Sequence, residues 1–545
     1  MLGLTMDYPL TLAAVARRAE AVFGDRPVVS RRADGRMHRT SYADVLHRAR
    51  RLATALCGLG VRPGDRVATL CWNHDRHLEA YFAAPLMGAV LHTLNLRLHA
   101  DELAYIASHA EDRVVLVDHA LLPLLEAFRD RAGFRHVIVI GDDDGSPSGA
   151  VGDDLDYETL LAATDGGSVW PEPAERDAAA MCYTSGTTSR PKGVVYSHRA
   201  LVLHSMATAM AGSFGISATD SVLAVVPMFH ANAWGLPFTA ALTGAKLVFP
   251  GMHLDAAALL DLCQQERVTF SAGVPTVWLG VLERLDACPG AYDLRTMRQL
   301  VIGGAAAPDA LVRGLEERHG IPVATSWGMT EIAPVGTVGT PAPEGEALPP
   351  AERHTLRMKQ GVPGALLELR VRNDQGDVPW DGVSMGELEV RGAYAASAYW
   401  RPEEDGGWFT PDGWFRTGDI ASIDGRGYLQ IRDRSKDLIK SGGEWISSVA
   451  LENALMSHPD VAEAAVVAVP HAKWLERPLA AVVAREGRAP AREALLEFLA
   501  DRFPRWWLPD DVVFVDEIPH TATGKIQKAE LRKQFAAYVL PTATE

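Results

Sequence analysis

The stretch YTSGTTSRPKGVVYSHRA, running from Tyr183 to Ala200, decides how this chain is read. Its first half gathers the hydroxyl side chains of Thr184, Ser185, Thr187, Thr188 and Ser189 around Gly186, then continues Arg190-Pro191-Lys192-Gly193. Such a run buries no apolar surface. It is flanked by apolar segments at 178–183 and 193–196 that read as strands, and Ser197 is placed to cap a following helix. A loop of hydroxyls and successive backbone N–H groups makes an anion nest, and a lysine at its exit adds the point charge that suits phosphate. It is not a Walker A loop, because Pro191 stands where the second glycine of G-x4-G-K-[ST] would fall. Taken alone the hexamer reads as a polar surface connector, so its meaning depends on the rest of the chain.

Outward from the loop, short apolar runs alternate with amphipathic segments. Runs at 66–72, 113–118, 136–142, 221–227, 246–250 and 299–304 have the length of buried strands, while apolar positions recur at helical spacing after Leu12 and after Ser41. This alternation predicts an α/β protein with layers of parallel strands covered by helices. The segment 340–354, rich in proline and charge, reads as a surface insertion. Past it, 364–379 and 386–392 alternate and turn as β-hairpins do. After Asp437 come a helix at 447–457, two strands, a helix at 492–503, a strand at 511–517 and a last helix from about 525, a compact α+β module. The expected division is a large domain at 1–433, built of layered α/β subdomains plus a β-rich subdomain, a hinge at 434–437, and a small mobile α+β domain at 438–545.

A chain of 545 residues exceeds what one hydrophobic core serves. Its 69 acidic residues outweigh 53 basic ones, a net charge of −16, which excludes a general nucleic-acid or anionic-membrane surface and demands a local site for any polyanion. Cys57, Cys71, Cys182, Cys263 and Cys288 show no CxxC spacing and read as reduced core thiols, which points to the cytoplasm. The N-terminal apolar stretch has no basic segment before it and is interrupted by Arg17, Arg18 and Glu20, so neither a signal peptide nor a membrane span is expected.

Five stretches carry a resemblance. TSGTTSRPKG (184–193), WGMTE (327–331), GWFRTGD (413–419), IRDRSKDLIKSGGEWIS (431–447) and PHTATGKIQK (519–528) resemble, in order and spacing, motifs of the adenylate-forming enzymes. These are the superfamily of acyl-CoA synthetases, luciferases and amino-acid adenylation domains, and the five motifs are its phosphate loop, adenine and magnesium segment, ribose aspartate, hinge and C-terminal lysine loop. VVPMFHANAWG, GVPTVW and SGGEWISSVALENAL are most similar to medium- and long-chain fatty acyl-CoA synthetases and 3-methylthiopropionate-CoA ligases.

The resemblance implies a first step in which a carboxylate attacks the α-phosphate of ATP, releasing pyrophosphate, and a second in which the coenzyme A thiol displaces AMP. Bringing one anion onto another needs prepositioned donors and cations, each worth roughly 10²- to 10³-fold in rate. By the same resemblance Thr184, Ser185, Gly186, Thr187, Thr188 and Lys192 cradle the β- and γ-phosphates. Glu331 and Thr184 hold Mg²⁺, a hard cation on hard oxygens, and Thr330 bonds the α-phosphate. Adenine lies against Trp327, Gly328 and Met329 and the segment Gly303, Gly304, Ala305, Ala306, whose glycines admit close backbone approach. Asp419 and Arg434 take the ribose. Lys525 bridges the acid and the α-phosphate, His230 stands beside the carboxylate, and Trp234 gates the acyl tunnel. Lys436 is the hinge about which the small domain turns between the two steps. Gly442, Gly443 and Glu444 then line the pantetheine channel, while Lys440, Glu444 and Trp445 lie near the adenylate.

The motif around His230 lacks the aspartate that adenylation domains use for an α-ammonium group, which favours apolar acids. ATP, Mg²⁺ and coenzyme A are thus the expected cofactors, a homodimer the expected assembly, and a medium- or long-chain fatty acid the expected substrate. Three alternatives stand beside this reading: a ligase for 3-methylthiopropionate or another short or aryl acid, an adenylating enzyme that loads a carrier protein, and an inactive acyl- or nucleotide-binding relative. Ser189 occupies a position where the family usually has glycine, and would be strained there if the loop requires positive φ.

Overall fold

The computed structural model describes the chain apart from residues 2, 142–149, 151, 166, 168–171, 185–189, 341–344, 346, 403–405, 443, 472, 521–525 and 545, and the side chains of 444, 543 and 544. Helix starts follow the cap chemistry: Thr11 opens Leu12–Phe23 by accepting from the Ala14 N–H, Ser41 opens Tyr42–Gly58 by accepting from Asp44, and Ser197 opens His198–Ala209 by accepting from Ala200. No helix among the described residues is long and apolar enough to cross a membrane.

Two sheets form the bulk of the chain. One orders its strands Leu155–Asp156, His136–Ile140, Asp112–Asp118, Arg66–Leu70, Val90–Thr93, Ala178–Tyr183 and Gly193–Ser197. These pair in parallel until the last two, which are antiparallel with Tyr183 opposite Gly193. The connection between them is too short for a parallel crossover, and the second of the pair, Gly193–Ser197, lies at the sheet edge. The other sheet runs parallel from Pro27–Arg31 through Lys246–Phe249, Ser221–Leu223, Phe270–Gly273 and Gln299–Ile302 to Val323–Gly328, with antiparallel strands at both ends. Asn73 ties the two sheets: its amide donates to the carbonyls of Ala224 (2.9 Å) and Val226 (2.8 Å) and accepts from the Met228 N–H (2.7 Å).

The antiparallel sheet built on Leu367–Asn373, Gly386–Gly392, Phe415–Ile423 and Leu429–Arg434 is the expected β-rich part, and its Leu388 and Ile423 share one core with Val67, Leu116, Val222 and Phe249. Beyond Arg434 the strand Val461–His471 is buried on both faces. Val466 packs with Leu451 and Leu495 on one side, and Val467 with Leu479 and Leu531 on the other, so this part of the chain has cores of its own. Two burying faces explain why its sequence reads as a continuous apolar run rather than an alternating one.

One element departs from anything the sequence foretells. Ala231, Asn232, Ala233 and Trp234 all have positive φ (43°, 54°, 52° and 55°), a left-handed turn made without glycine until Gly235 ends it. Each such residue costs about 1–2 kcal/mol. All four are buried, which is how the fold holds the turn against that cost.

Candidate active site

The phosphate-loop hairpin closes on itself through the Thr184 N–H, which donates to the Lys192 carbonyl at 2.9 Å, and the Lys192 N–H, which donates to Thr184 Oγ1 at 3.2 Å. Ser185, Gly186, Thr187, Thr188 and Ser189 lie outside the described residues, as does Lys525. Lys192 therefore stands at the base of the loop, with its Nζ 3.8 Å from the centroid of the Trp408 ring and 5.2 Å from that of Tyr399. Burial lowers its pKa, Glu331 pulls the other way, and Lys436 adds like-charge repulsion.

The strand Val323–Gly328 delivers Trp327 and the turn after it delivers Thr330 and Glu331. Tyr196, on the second strand of the hairpin, donates its hydroxyl to the Thr330 carbonyl at 2.6 Å, so that strand and the Thr330 turn are fixed to one another. Glu331 is 6% exposed and accepts a 2.5 Å bond from the Tyr399 hydroxyl. Gly328 is required by packing, since a Cβ there would sit 2.2 Å from the Pro334 carbonyl oxygen.

Asp419 is 3% exposed at the centre of a second cluster. Its Oδ2 accepts from Trp327 Nε1 at 2.8 Å, its Oδ1 faces Arg434 Nε at 2.8 Å, and its own N–H donates to Thr417 Oγ1 at 3.0 Å. Arg434 lies opposite Asp419 in the register of neighbouring strands and also donates to the Thr417 carbonyl at 3.2 Å. Trp327, read from the sequence as a flat face for adenine, thus has a further task that the motif did not disclose: its N–H orients the carboxylate. At 7% exposure the ring lies largely inside, against Gly336.

The segment 303–306 lies beside Trp234. The space left by Gly303 is taken by Trp234, whose Cη2 would lie 3.0 Å from a Cβ there, and Gly304 faces Trp234 Cζ2 at 3.7 Å. Gly303 therefore leaves room for the tryptophan, whereas Gly304 lies closest to Val274, and exposed Ala305 and Ala306 present the outward face. Trp234 itself is 5% exposed. His230 precedes the left-handed turn and lines a small pocket with Thr93, Asn95, Tyr183 and Phe229, beside the base of the phosphate loop.

Lys440, Trp445 and Gly442 are not drawn into the Asp419 cluster. Lys440 pairs with Trp445 across a hairpin, its N–H bonds Glu476, and Gly442 (φ +60°) donates to the Trp474 carbonyl, so this segment is held by the C-terminal sheet. Gly443 and the side chain of Glu444 lie outside the described residues. Tyr196, Tyr399 and Trp408 are the site residues that sequence reasoning missed. The aromatic density of AYWRPEEDGGWFTPDGWF was the available signal, but it names no partner for any ring.

Taken together, a hairpin loop with a lysine, a buried carboxylate capped by a tyrosine, and a second buried carboxylate with an arginine can hold a polyphosphate, a hard cation and a diol side by side. The chain matches the AMP-binding enzyme family over residues 16–400 and the AMP-binding enzyme C-terminal domain over 450–525. It is 51% identical over 537 residues to a long-chain-fatty-acid–CoA ligase of Thermus thermophilus, covering 98% of this chain and 97% of that protein. It is 44% identical to a 3-methylmercaptopropionyl-CoA ligase of Ruegeria lacuscaerulensis, covering 98% and 99%. Among solved structures it is similar to the anthranilate CoA ligase AuaEII in complex with anthranoyl-AMP, with a TM-score of 0.86, 26% identity and coverage of 98% and 99%. Motif order, site geometry and full-length similarity agree: the chain belongs to the AMP-binding enzyme family and is an adenylate-forming enzyme.

Proposed function

We propose that the protein joins a medium- or long-chain fatty acid to coenzyme A through an acyl-adenylate, releasing AMP and pyrophosphate. The observation that carries this reading is the joining of separate chain segments into one face by three bonds: Tyr196 to Thr330, Tyr399 to Glu331, and Trp327 to Asp419. In this reading Lys192 and the loop at 184–188 hold the β- and γ-phosphates, Thr330 bonds the α-phosphate, and Asp419 with Arg434 receives the ribose hydroxyls. Ala305, Ala306, Met329 and one edge of Trp327 meet adenine.

The oxygens of Glu331 and Thr184 fit a hard divalent cation, and Mg²⁺ bound there would neutralise charge on the departing pyrophosphate. His230 orients the acid, and Trp234, packed on Gly303 and Gly304, closes the acyl tunnel. The similarity to an acyl-CoA ligase at 51% identity supports the CoA-forming second step over carrier loading.

The chain divides, in this reading, into 1–433, a hinge at 434–437 and 438–545, with separate hydrophobic clusters on either side of the hinge in its favour. The small domain brings Lys525 for the first step and turns about Lys436 to bring Gly442, Gly443 and Glu444, with Lys440 and Trp445 nearby, for the second. The enzyme works as a homodimer in the cytoplasm. A second substrate reading, 3-methylthiopropionate, is favoured by the 44% identity to a 3-methylmercaptopropionyl-CoA ligase. Pyrophosphate release measured over acids from C2 to C18, methylthiopropionate and aryl acids, with coenzyme A or a phosphopantetheinyl carrier as acceptor, tests all of this. A kcat/KM maximum at methylthiopropionate or at an aryl acid overturns the fatty-acid assignment, and turnover only with the carrier overturns CoA ligation.

A further inference from the structure

Lys192 and Glu331, side chains of opposite charge type in a partly buried site, meet the same residue, Tyr399, the one at its ring and the other at its hydroxyl. Left to themselves, such groups tend to close into an ion pair, because low polarity around them strengthens their attraction. A closed pair would occupy both the cation meant for phosphate and the carboxylate meant for Mg²⁺. The structure shows a different arrangement. The ammonium lies over the Trp408 ring at 3.8 Å and beside the Tyr399 ring at 5.2 Å, while a Glu331 oxygen is held by the Tyr399 hydroxyl at 2.5 Å.

The two rings support each other edge to face, with centroids 5.0 Å apart and planes at 86°, and Tyr399 also packs edge-on against Phe415. The segment that bears them is clamped to both partners. The Trp400 N–H donates to the Gly193 carbonyl at 2.8 Å, next to Lys192, and the Ala396 N–H donates to the Glu331 carbonyl at 2.7 Å. Trp408 is fixed in turn by the Arg416 N–H, which donates to its carbonyl at 2.7 Å.

We propose that Tyr399 and Trp408 are positioning residues that hold the Lys192 ammonium and the Glu331 carboxylate apart in the nucleotide-free enzyme, keeping both available to Mg·ATP. This rests on Lys192 being a phosphate ligand and Glu331 a magnesium ligand. Tryptophan is the best ring for the purpose because its face attracts a cation most strongly, and a seat of this kind shifts a binding equilibrium by roughly 3- to 10-fold.

The test is equilibrium calorimetry of Mg·ATP binding, alongside steady-state kinetics, for Trp408→Leu and Trp408→Phe. The leucine variant, apolar but without a π face, is expected to weaken Kd and raise KM for Mg·ATP about 3- to 10-fold, with kcat at saturation changed less than about 2-fold. Phenylalanine, which keeps a ring face, should return Kd to within about 2-fold of the parent. Tyr399→Phe, which keeps the ring and loses the hydroxyl, should raise the Mg²⁺ concentration needed for half-maximal ATP binding. An unchanged or tightened Kd in Trp408→Leu overturns the proposal, as does a loss that phenylalanine does not restore. If the leucine variant does not fold, Trp408→Met is measured in its place. Lys192→Met separates the two layers: if it leaves the Kd for Mg·ATP unchanged, the phosphate role of Lys192 falls, whereas if it weakens binding and Trp408→Leu does not, only the seat falls.

Discussion

Replacing Asp419 with asparagine exchanges one oxygen for an amino group and tests the ribose role proposed for its cluster. Both carboxylate oxygens face donors before any nucleotide arrives, Oδ2 from the Trp327 indole and Oδ1 from the Arg434 guanidinium, each at 2.8 Å. An amide offers one acceptor and one donor, so whichever way the substituted side chain turns, an N–H opposes another N–H. The native side chain is 4% exposed, which leaves little room for water to take the lost role. A hydrogen bond to a charged group is worth about 1.5–3 kcal/mol, which corresponds to roughly 10- to 150-fold in an equilibrium constant.

In the proposed assignment Asp419 receives the ribose, which is remote from the bonds being made and broken, so the loss belongs to uniform binding. KM for ATP in a pyrophosphate-release assay should rise by that factor while kcat at saturating ATP is retained. Arg434→Gln supplies the contrast. Arg434 is 42% exposed, solvent screens its contribution, and about 0.2–1 kcal/mol or roughly 1.4- to 5-fold in KM is expected. A fall in kcat at constant KM for Asp419→Asn, or equal effects of the two substitutions, would refute the reasoning.

Three further outcomes are expected. Lys525→Ala should abolish acid-dependent pyrophosphate release while thioester formation from supplied acyl-AMP persists; equal loss of both half-reactions would remove the alternating-domain scheme. Trp234→Ala should lengthen the range of acids accepted if the ring closes the tunnel, whereas a uniform loss of activity with a lowered melting temperature would make it a packing residue. Lys528→Met should destabilise the C-terminal module by about 3–5 kcal/mol, because Lys528 bonds Glu452 at 2.8 Å inside a network that continues through Ser448 to Asp433, and its removal leaves buried carboxylates unpaired. Burial already pushes Glu452 up to about 7 against the pull of Lys528, and burial raises Asp433 as well. A carboxylate whose folded pKa is raised stabilises the fold below its unfolded pKa and loses that contribution as pH rises through its folded value. The variant should therefore recover part of its deficit on going from pH 8 to pH 5.5 in thermal unfolding, and a pH-independent deficit would contradict the assignment.

Much of the architecture was legible because it rests on local rules. The caps at Thr11, Ser41 and Ser197, the apolar runs that became strands, and the two-sided burial of Val461–His471 all follow from spacing and side-chain chemistry that a linear reading contains. The family was legible for another reason: the motifs that hold Lys192, Thr330, Glu331, Asp419 and Arg434 are short, ordered strings, and the family they resemble is the one the chain matches.

What the sequence could not contain is which of these strings touch. Trp327 bonding Asp419, Tyr196 bonding the Thr330 turn, Tyr399 meeting both Glu331 and Lys192, and Trp408 under Lys192 are contacts between segments far apart along the chain, and no local pattern specifies them. The same holds for the left-handed turn at 231–234, which no local preference favours and which exists because the surrounding core buries all four of its side chains. Sequence alone determined the chemistry the protein can perform, since that resides in atom types and their short-range spacing. Only the tertiary structure decided which side chains each charged group meets, because that depends on which buried surfaces the fold presses together.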